Sequence, residues 1–304
     1  MIRRIFLSSV LFVCLSNFQY VYSQDKDFLN RKGEILNVQL VPIDSTSRTV
    51  TYDVLLVGKR KDTISQPRMI YGRIRYPKDK SKLYPAAFMM VGIETGKNVV
   101  DMIEGYDDVI VFGMDYPFKF DMDFSGWKGF RTAMVLRQMG NETISRILLC
   151  NDWLSSLREV DTSNITMIAV SFGVFTAVPA AVLDKRIDRL VIVQGGGDLY
   201  LILKANAERL GFSLPNWLVG WLGAIILAPL EPNYYIEKFS PRPLLIVSGE
   251  SDLLFPRSSV QSLYEHAKEP KEWIEHQSSH IVPDESELIL ELTKLVGDKL
   301  YGKK

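Results

Sequence analysis

Residues 165–177 read Ile165-Thr166-Met167-Ile168-Ala169-Val170-Ser171-Phe172-Gly173-Val174-Phe175-Thr176-Ala177. The run before the serine is apolar and rich in β-branched residues, which predicts a buried strand. The run after the glycine is compatible with a helix, so Ser171 lies at a predicted turn between the two. Such a turn crowds the chain, and the positions two before and two after the serine are both small, Ala169 and Gly173. The segment therefore predicts a strand, a tight turn and a helix, with the serine at the apex.

This pattern, Ala169-x-Ser171-x-Gly173, differs by one methyl group from the nucleophile-elbow motif Gly-x-Ser-x-Gly. An elbow presents the serine hydroxyl above the edge of a sheet and points the next backbone N–H and a helix N-terminus at a developing oxyanion. On this motif the chain resembles the α/β-hydrolase superfamily, and within it the serine esterases similar to dienelactone hydrolases and acetyl xylan esterases. The resemblance covers roughly residues 35–300. It implies an α/β fold with a mostly parallel central sheet, antiparallel N-terminal strands, helices on both faces and a small helical cap insertion.

The composition is that of a globular chain that can bury a large core. The 304 residues are 47% hydrophobic and 24% charged, with a formal net charge of +0. This length suits one α/β domain, or at most two. Without a basic excess, nothing indicates nucleic acid as a partner, and without an acidic tail or a low-complexity tract nothing indicates disorder.

The first 23 residues have the pattern of a secretory signal peptide. Two arginines precede an uncharged run, Ile5 to Leu15, and Ser23 is a small residue before the expected cleavage at Gln24. The run is too short and wrongly flanked for a stable membrane span, although an uncleaved anchor is an alternative and the two arginines also fit twin-arginine export. We therefore expect an exported single-domain mature chain, residues 24–304, in the periplasm or outside the cell.

Cleavage would leave one cysteine. Cys14 falls in the predicted leader, so Cys150 would remain alone, and a single cysteine cannot form an internal disulfide. Apolar neighbours on the same predicted helix indicate that Cys150 is a core thiol and not a nucleophile.

The strands can be placed along the chain from their apolar runs. Three candidates separated by polar turns predict an antiparallel edge, and two runs that are apolar throughout predict central strands covered on both faces. These are Asn37–Val41, Thr49–Val57 and Met69–Tyr76 for the edge, and Ala86–Val91 and Val109–Met114 for the centre. Later strands are predicted at Arg189–Gln194, Leu244–Val247 and Glu272–Glu275. Helical spacing predicts two helices at Arg131–Gly140 and Thr143–Leu157, followed by a turn at Asp161–Asn164.

The resemblance places a cap insertion at about residues 198–240, between two of these strands. Within it, Trp217–Ala228 is strongly apolar but shorter than the roughly 20 residues needed to cross a bilayer. Three interpretations stay open: a helical lid over the acyl side of the pocket, a helix buried on the sheet, and an interfacial membrane contact. The last of these lacks the basic polar face that such a contact uses.

The resemblance also implies that Ser171 is the nucleophile of a Ser-His-Asp triad. A serine hydroxyl needs a base to take its proton, and the base needs an acid to fix its tautomer. Asp252 follows an apolar strand in the family's usual setting for the acid, and His280 lies in the loop before the final helix, where the superfamily places its base. The order Ser171, Asp252, His280 is the one expected for this fold.

Other residues compete for the two partner roles. The chain has three histidines. His266 is predicted in mid-helix, and His276, at a strand end, is the rival base. Glu250 and Asp284 are the rival acids, and Asp284 is better explained as a helix cap.

Two backbone N–H groups are implied for the oxyanion hole. One follows the nucleophile, at Phe172. The other belongs to the first loop, where this family usually has a His-Gly pair. Here Val91 replaces the histidine and Gly92 is kept, so the N–H of Ile93 is the candidate, with a plain glycine turn as the alternative. Because the donor is backbone, the missing histidine does not exclude the role.

Together these features predict a secreted serine hydrolase that cleaves carboxylic esters of small molecules or carbohydrates through an acyl-enzyme. No group of His, Cys, Asp and Glu has metal-ligand spacing, so we expect no metal and no cofactor. One alternative is a serine peptidase or acyltransferase on the same triad, although peptidases of this fold usually carry a large propeller domain, for which residues 30–85 are too short. Another is a non-catalytic binding protein on a hydrolase scaffold, which predicts a broken triad.

Overall fold

Nine strands form one sheet in the residues that the computed structural model describes, which are 25–60, 66–118 and 122–302. The expected signal peptide, residues 1–23, lies outside the described residues. The strands are β1 Glu34–Ser45, β2 Thr49–Lys59, β3 Arg68–Pro77, β4 Tyr84–Met90, β5 Ile110–Met114, β6 Val160–Val170, β7 Ile187–Val193, β8 Leu244–Gly249 and β9 Lys271–His276.

The sheet is antiparallel at one edge and parallel across the rest. Its order is β1-β2-β3-β5-β4-β6-β7-β8-β9. β1, β2 and β3 pair antiparallel, as do β3 and β5, whereas every pair from β5 to β9 is parallel. The predicted antiparallel N-terminal strands and mostly parallel centre are confirmed. Since β4, β6, β7 and β8 run the same way, the loops that follow them meet at one edge of the sheet.

Helices cover both faces of this sheet. They are α1 at residues 25–32, α2 Val99–Met102, α3 Gly126–Leu154, α4 Val174–Leu183, α5 Leu199–Asn206, α6 Asn216–Ile226, α7 Asn233–Ile236, α8 Arg257–His266 and α9 Ser286–Tyr301. Short 3-10 turns lie at Gly96–Asn98, Ser171–Gly173, Ala228–Leu230 and Glu237–Phe239. Side chains of α3, α4 and α8 join a large apolar cluster on one face, whereas α2 and α9 join a smaller cluster on the other.

Two local predictions were wrong. The helices predicted at Arg131–Gly140 and Thr143–Leu157 are one helix, α3. Gly140 lies inside it and does not end the helix. A Cβ at this position would come within 2.5 Å of the Leu230 side chain, so the glycine makes room for Leu230 to pack there. The turn predicted at Asp161–Asn164 lies within β6, where the register against β4 shifts and leaves those residues as an unpaired bulge.

The prediction that Cys150 is a core thiol is confirmed. Cys150 lies on α3 with no exposed surface, and the described residues contain no second cysteine to pair with it. Burial raises the pKa of its thiol to about 12, which keeps the sulfur in its unreactive protonated form.

The insertion at residues 198–240 contains α5, α6 and α7. Two glycines of α6 let it pack closely against α5. A Cβ at Gly220 would lie 2.8 Å from the carbonyl oxygen of Tyr200, and a Cβ at Gly223 would lie 2.4 Å from the side chain of Leu203. The opposite face of α6 is open: Trp217, Trp221, Leu222 and Ile225 are between 38% and 58% exposed. The interpretation of this segment as a helix buried on the sheet is therefore wrong, while its role as a cap stays a prediction. Among the described residues, no helix combines the length and the hydropathy required of a membrane span.

Glu231 joins the start of this insertion to the start of α7. Its carboxylate accepts hydrogen bonds from the backbone N–H groups of Asp198 (2.8 Å), Leu199 (2.6 Å) and Asn233 (3.0 Å). The side chain is buried, and burial raises the pKa of Glu231 against the opposing effect of the three donors. The loop after β7 and the start of α7 are thus held side by side at the edge of the sheet where the loops meet.

Candidate active site

The turn at Ser171 has the geometry that its sequence predicts. Ser171 has a φ of 52° between the end of β6 and the start of α4, a left-handed conformation that is uncommon for a residue with a side chain. Gly173 is required by space, because a Cβ there would lie 2.0 Å from the carbonyl oxygen of Met90. Ala169 is fully buried. A strained, well-packed turn of this kind is typical of a functional site.

The structure brings the side chains of Ser171, His280 and Asp252 together. Ser171 Oγ lies 2.7 Å from His280 Nε2, and His280 Nδ1 lies 2.8 Å from Asp252 Oδ2. When Nδ1 carries the proton and donates it to Asp252, Nε2 is free to accept the serine proton. The arrangement can therefore move a proton from the hydroxyl to the imidazole.

Asp252 is held by backbone groups on its other oxygen. Its Oδ1 accepts hydrogen bonds from the N–H groups of Leu254 (2.8 Å) and Phe255 (3.0 Å), and the side chain is almost fully buried. The ring of Phe255 also stacks on the His280 ring, with 5.8 Å between centroids and 22° between planes. Both the Asp252 carboxylate and the His280 imidazole are thus fixed in one orientation.

Gln194 is a residue of the site that the sequence analysis missed. It is fully buried at the end of β7, with a φ of 47°. Its Nε2 donates to the carbonyl of Ser279 (2.8 Å) and to Ser278 Oγ (3.0 Å), and its Oε1 accepts from the N–H of Ile281. The signal available in the sequence was an uncharged polar residue ending an apolar strand, directly before three glycines.

The residues of the two predicted oxyanion donors line the same cavity as Ser171. The N–H of Phe172 is in the first turn of the helical segment that begins at the serine, where backbone donors have no partner within the helix. Ile93 lies in a loop fixed by a bond from the N–H of Gly96 to the carbonyl of Gly92 (3.1 Å). Within residues 25–60, 66–118 and 122–302, no backbone carbonyl accepts from the Ile93 N–H. Tyr116 donates to the carbonyl of Val91 (2.7 Å) and so fixes the start of this loop.

The rival residues lie elsewhere. His266 is exposed on α8, and His276 faces Glu291 of α9, with 3.6 Å between Nε2 and Oε1. Glu250 and Asp284 are exposed. Asp284 does not cap α9 as predicted, because the helix begins at Ser286 without a side-chain cap.

A cavity of about 430 Å³ adjoins Ser171, Phe172 and Ile93. It runs between the sheet and α9, on the face that carries the smaller apolar cluster. None of the residues 198–240 lines it, so the insertion does not wall this cavity. In the described part of the chain, no three His, Cys, Asp or Glu side chains are grouped as a metal site would need.

Comparisons with known proteins agree with this architecture. The family model of the FSH1 serine hydrolases matches residues 206–291, the part that carries Asp252 and His280. No curated protein matches the sequence.

Solved structures resemble the chain over most of its length. Acetyl xylan esterase 1 from Thermoanaerobacterium sp. is 15% identical, with a TM-score of 0.68 and 94% of each chain covered. An acetyl xylan esterase from Paenibacillus sp. R4 is also 15% identical, with a TM-score of 0.63 over 91% of this chain and 92% of that one. A cold-adapted esterase from an Arctic intertidal metagenomic library is 12% identical, with a TM-score of 0.60 over 87% of this chain and 99% of that one. The chain therefore has the α/β-hydrolase fold, as its elbow motif predicted.

Proposed function

We propose that the protein hydrolyses carboxylic esters through an acyl-enzyme formed on Ser171. The observation that carries the proposal is the pair of short contacts from Ser171 Oγ to His280 Nε2 (2.7 Å) and from His280 Nδ1 to Asp252 (2.8 Å), at a serine in a left-handed turn. The serine-hydrolase family match and the esterases among the structural neighbours support the same chemistry.

The geometry suggests the following course for the reaction. Ser171 Oγ attacks the ester carbonyl while its proton passes to His280 Nε2, and the resulting oxyanion accepts from the N–H groups of Phe172 and Ile93. His280 then gives the proton to the leaving alcohol as the carbon–oxygen bond breaks. Water, activated by the same imidazole, attacks the acyl-enzyme and releases the acid and free serine. Asp252 orients the imidazole and stabilises its protonated form.

The alternatives differ in what they require of the site. A non-catalytic binding protein needs no proton path, whereas here all three side chains are present and in contact. A peptidase or acyltransferase would use the same residues, so only the leaving group or the acceptor separates it from an esterase.

The leader-like residues 1–23 support export of the enzyme to the periplasm or the medium, and N-terminal sequencing of the exported protein would then begin at Gln24.

The test is turnover of p-nitrophenyl acetate and butyrate by protein expressed from the full sequence, together with labelling by a fluorophosphonate. Wild type is expected to hydrolyse the esters and to be labelled at Ser171, and Ser171→Ala to do neither. Ser251→Ala, at an exposed serine beside the acid, is the matched control and should behave as wild type. Equal turnover by Ser171→Ala, or neither turnover nor labelling of wild type, would reject the proposal, and faster cleavage of the matching anilide would favour a peptidase.

A further inference from the structure

We infer that the substrate acyl group is a linear hydrocarbon chain of medium length, which binds in the cavity between the sheet and α9. The inference rests on the proposed function and specifies its substrate class. It differs from the position that the sequence suggested for the acyl side, under the insertion at residues 198–240.

The walls of the cavity come from two layers of side chains, one on the sheet and one on α9. Side chains from one face of the parallel strands form its floor, since alternate residues of a strand point to the same side. These include Ala87, Met89, Val111, Ile168 and Val170. Leu292 and Val296 of α9 form the opposite wall.

The reason for this cavity lies between β4 and β5. The connection there contains only the four-residue helix α2 and a 3-10 turn, where a parallel crossover usually carries a longer helix. α2 supplies Val99 and Val100 to the smaller apolar cluster, but it is too short to cover the strands beside it. The uncovered strip of sheet under α9 is the cavity.

The cavity opens directly at the reacting atoms. Ser171, Phe172 and Ile93 line one end of it, and Ile281, next to the base, lines the same end. A carbonyl carbon placed at Ser171 Oγ with its oxygen toward the two N–H groups would therefore have its acyl chain at the entrance. The far end of the cavity is lined by Tyr301, the last residue of α9, and by Val109, directly before β5.

The lining selects for a hydrocarbon. Among the described residues that line the cavity, Glu94, in the loop at the entrance, is the one that is charged, and none is a lysine or arginine that could bind a second carboxylate or a phosphate. Sugar hydroxyls would need polar partners along the floor, where the strands supply Ala, Val, Ile and Met. Among the described residues the acyl side is therefore mainly apolar, and Tyr106, Thr293 and Tyr301 are the hydroxyl-bearing side chains that line it away from the entrance.

The length of the cavity sets the length of the chain. Ala87 and Val91 both line it, and four residues of strand span about 13 Å. An extended hydrocarbon advances about 1.25 Å per carbon, given C–C bonds of about 1.5 Å and angles of about 111°. A chain of about ten carbons fills this distance. An acetyl group would leave most of the 430 Å³ empty.

The experiment is the dependence of kcat/KM on acyl length, measured with p-nitrophenyl esters from acetate to palmitate. For wild type we expect kcat/KM to rise up to about fourfold per added methylene, reach a maximum at about eight to ten carbons, and then level off or fall. Thr293→Phe places a ring across the cavity one turn of α9 beyond Ile289, and should move the maximum to shorter chains by lowering kcat/KM for decanoate far more than for acetate. Leu290→Phe, on the exposed face of the same helix, is the matched control and should keep the wild-type profile.

A binding measurement separates this inference from the proposed function. Ser171→Ala is expected to bind decanoate and to lose about tenfold or more of that affinity when Thr293→Phe is added, with displacement of a fluorescent fatty acid as the readout. A maximum at acetate in an active enzyme, or no binding of decanoate, would overturn the inference while the esterase proposal stands. Decanoate binding with no hydrolysis of any ester would support the cavity assignment and reject the esterase.

Discussion

Gln194 holds the chain on both sides of His280. Its amide nitrogen donates to the carbonyl of Ser279, one residue before the imidazole, and its amide oxygen accepts from the N–H of Ile281, one residue after it. The side chain is fully buried at the end of β7, so the position of the imidazole is set from the centre of the sheet and not only by Asp252.

This relationship predicts a catalytic effect for a residue that does not contact the reacting atoms. Gln194→Met keeps the length of the side chain but removes its hydrogen bonds, so the imidazole should shift relative to Ser171. A shift of about 1 Å lowers kcat by about 10²-fold. We expect that loss in kcat with KM little changed, and a matching loss in the rate of fluorophosphonate labelling at 25 °C.

Gln261→Met, on the exposed face of α8, removes an amide that bonds only to Glu265 at 2.8 Å and serves as the control. It should change neither rate. If Gln194→Met lowered the melting temperature but was labelled as fast as wild type, the role of Gln194 would be structural alone.

The two small positions of the elbow should respond differently to a single methyl group. Gly173→Ala places a Cβ 2.0 Å from the Met90 carbonyl oxygen, a backbone atom of a central strand that cannot move aside. Overpacking of this kind costs about 1–3 kcal/mol or more, so we expect a large fall in the free energy of unfolding and loss of activity. Urea unfolding and ester hydrolysis measure both effects.

Ala169→Gly is the reciprocal change, and it converts the motif to Gly-x-Ser-x-Gly. It should cost only about 0.5–1 kcal/mol, the ordinary penalty for glycine inside a strand, with activity retained. Equal effects from the two substitutions would show that the close approach of Gly173 to Met90 is not what the turn requires.

Tyr116→Phe should weaken the loop that carries Ile93. The hydroxyl donates to the carbonyl of Val91 at 2.7 Å, both residues are buried, and burial raises the pKa of the phenol. Without the hydroxyl, a buried carbonyl loses this partner, which costs about 1–3 kcal/mol. We expect that loss in urea unfolding, with Tyr71→Phe as the exposed control; a change below about 0.5 kcal/mol would contradict it.

Glu231 predicts a pH dependence of stability. Burial, assisted by the nearby charge of Asp198, raises its folded pKa above the ordinary value of 4.5, so the folded state binds the proton more tightly than the unfolded chain does. The resulting stabilisation is complete below pH 4.5 and is lost as the pH rises through the raised pKa. The free energy of unfolding of wild type, relative to Glu231→Gln, should therefore fall from pH 4.5 to 7 in urea titrations. A difference that stays constant or grows with pH would refute the assignment.

Much of this architecture follows from local pattern. The elbow, the antiparallel edge and the parallel centre could be predicted because strand period, apolar runs and a crowded turn are all local properties. Ser171, Asp252 and His280 could be placed from the resemblance because each follows a strand at the same edge of the sheet.

Other features depend on contacts between distant segments. Gln194 carries no motif, since its partners lie more than eighty residues away. Gly140 looked like a helix end because the sequence does not reveal that Leu230 packs against it. The cavity could not be predicted, because it follows from how little of the sheet the short α2 covers beneath α9.

The bonds from Asp198, Leu199 and Asn233 to one carboxylate place the two ends of residues 198–232 beside each other. Because the segment leaves and re-enters the fold at nearly the same point, a change in its length does not require the strands of the sheet to move. Each doubling of such a loop costs only about 0.6 kcal/mol in closure entropy. Residues 199–230 can therefore be lengthened, shortened or exchanged without moving β7 or α7. An evolving lineage could in this way replace this segment while the contacts among Ser171, His280 and Asp252 stay as they are.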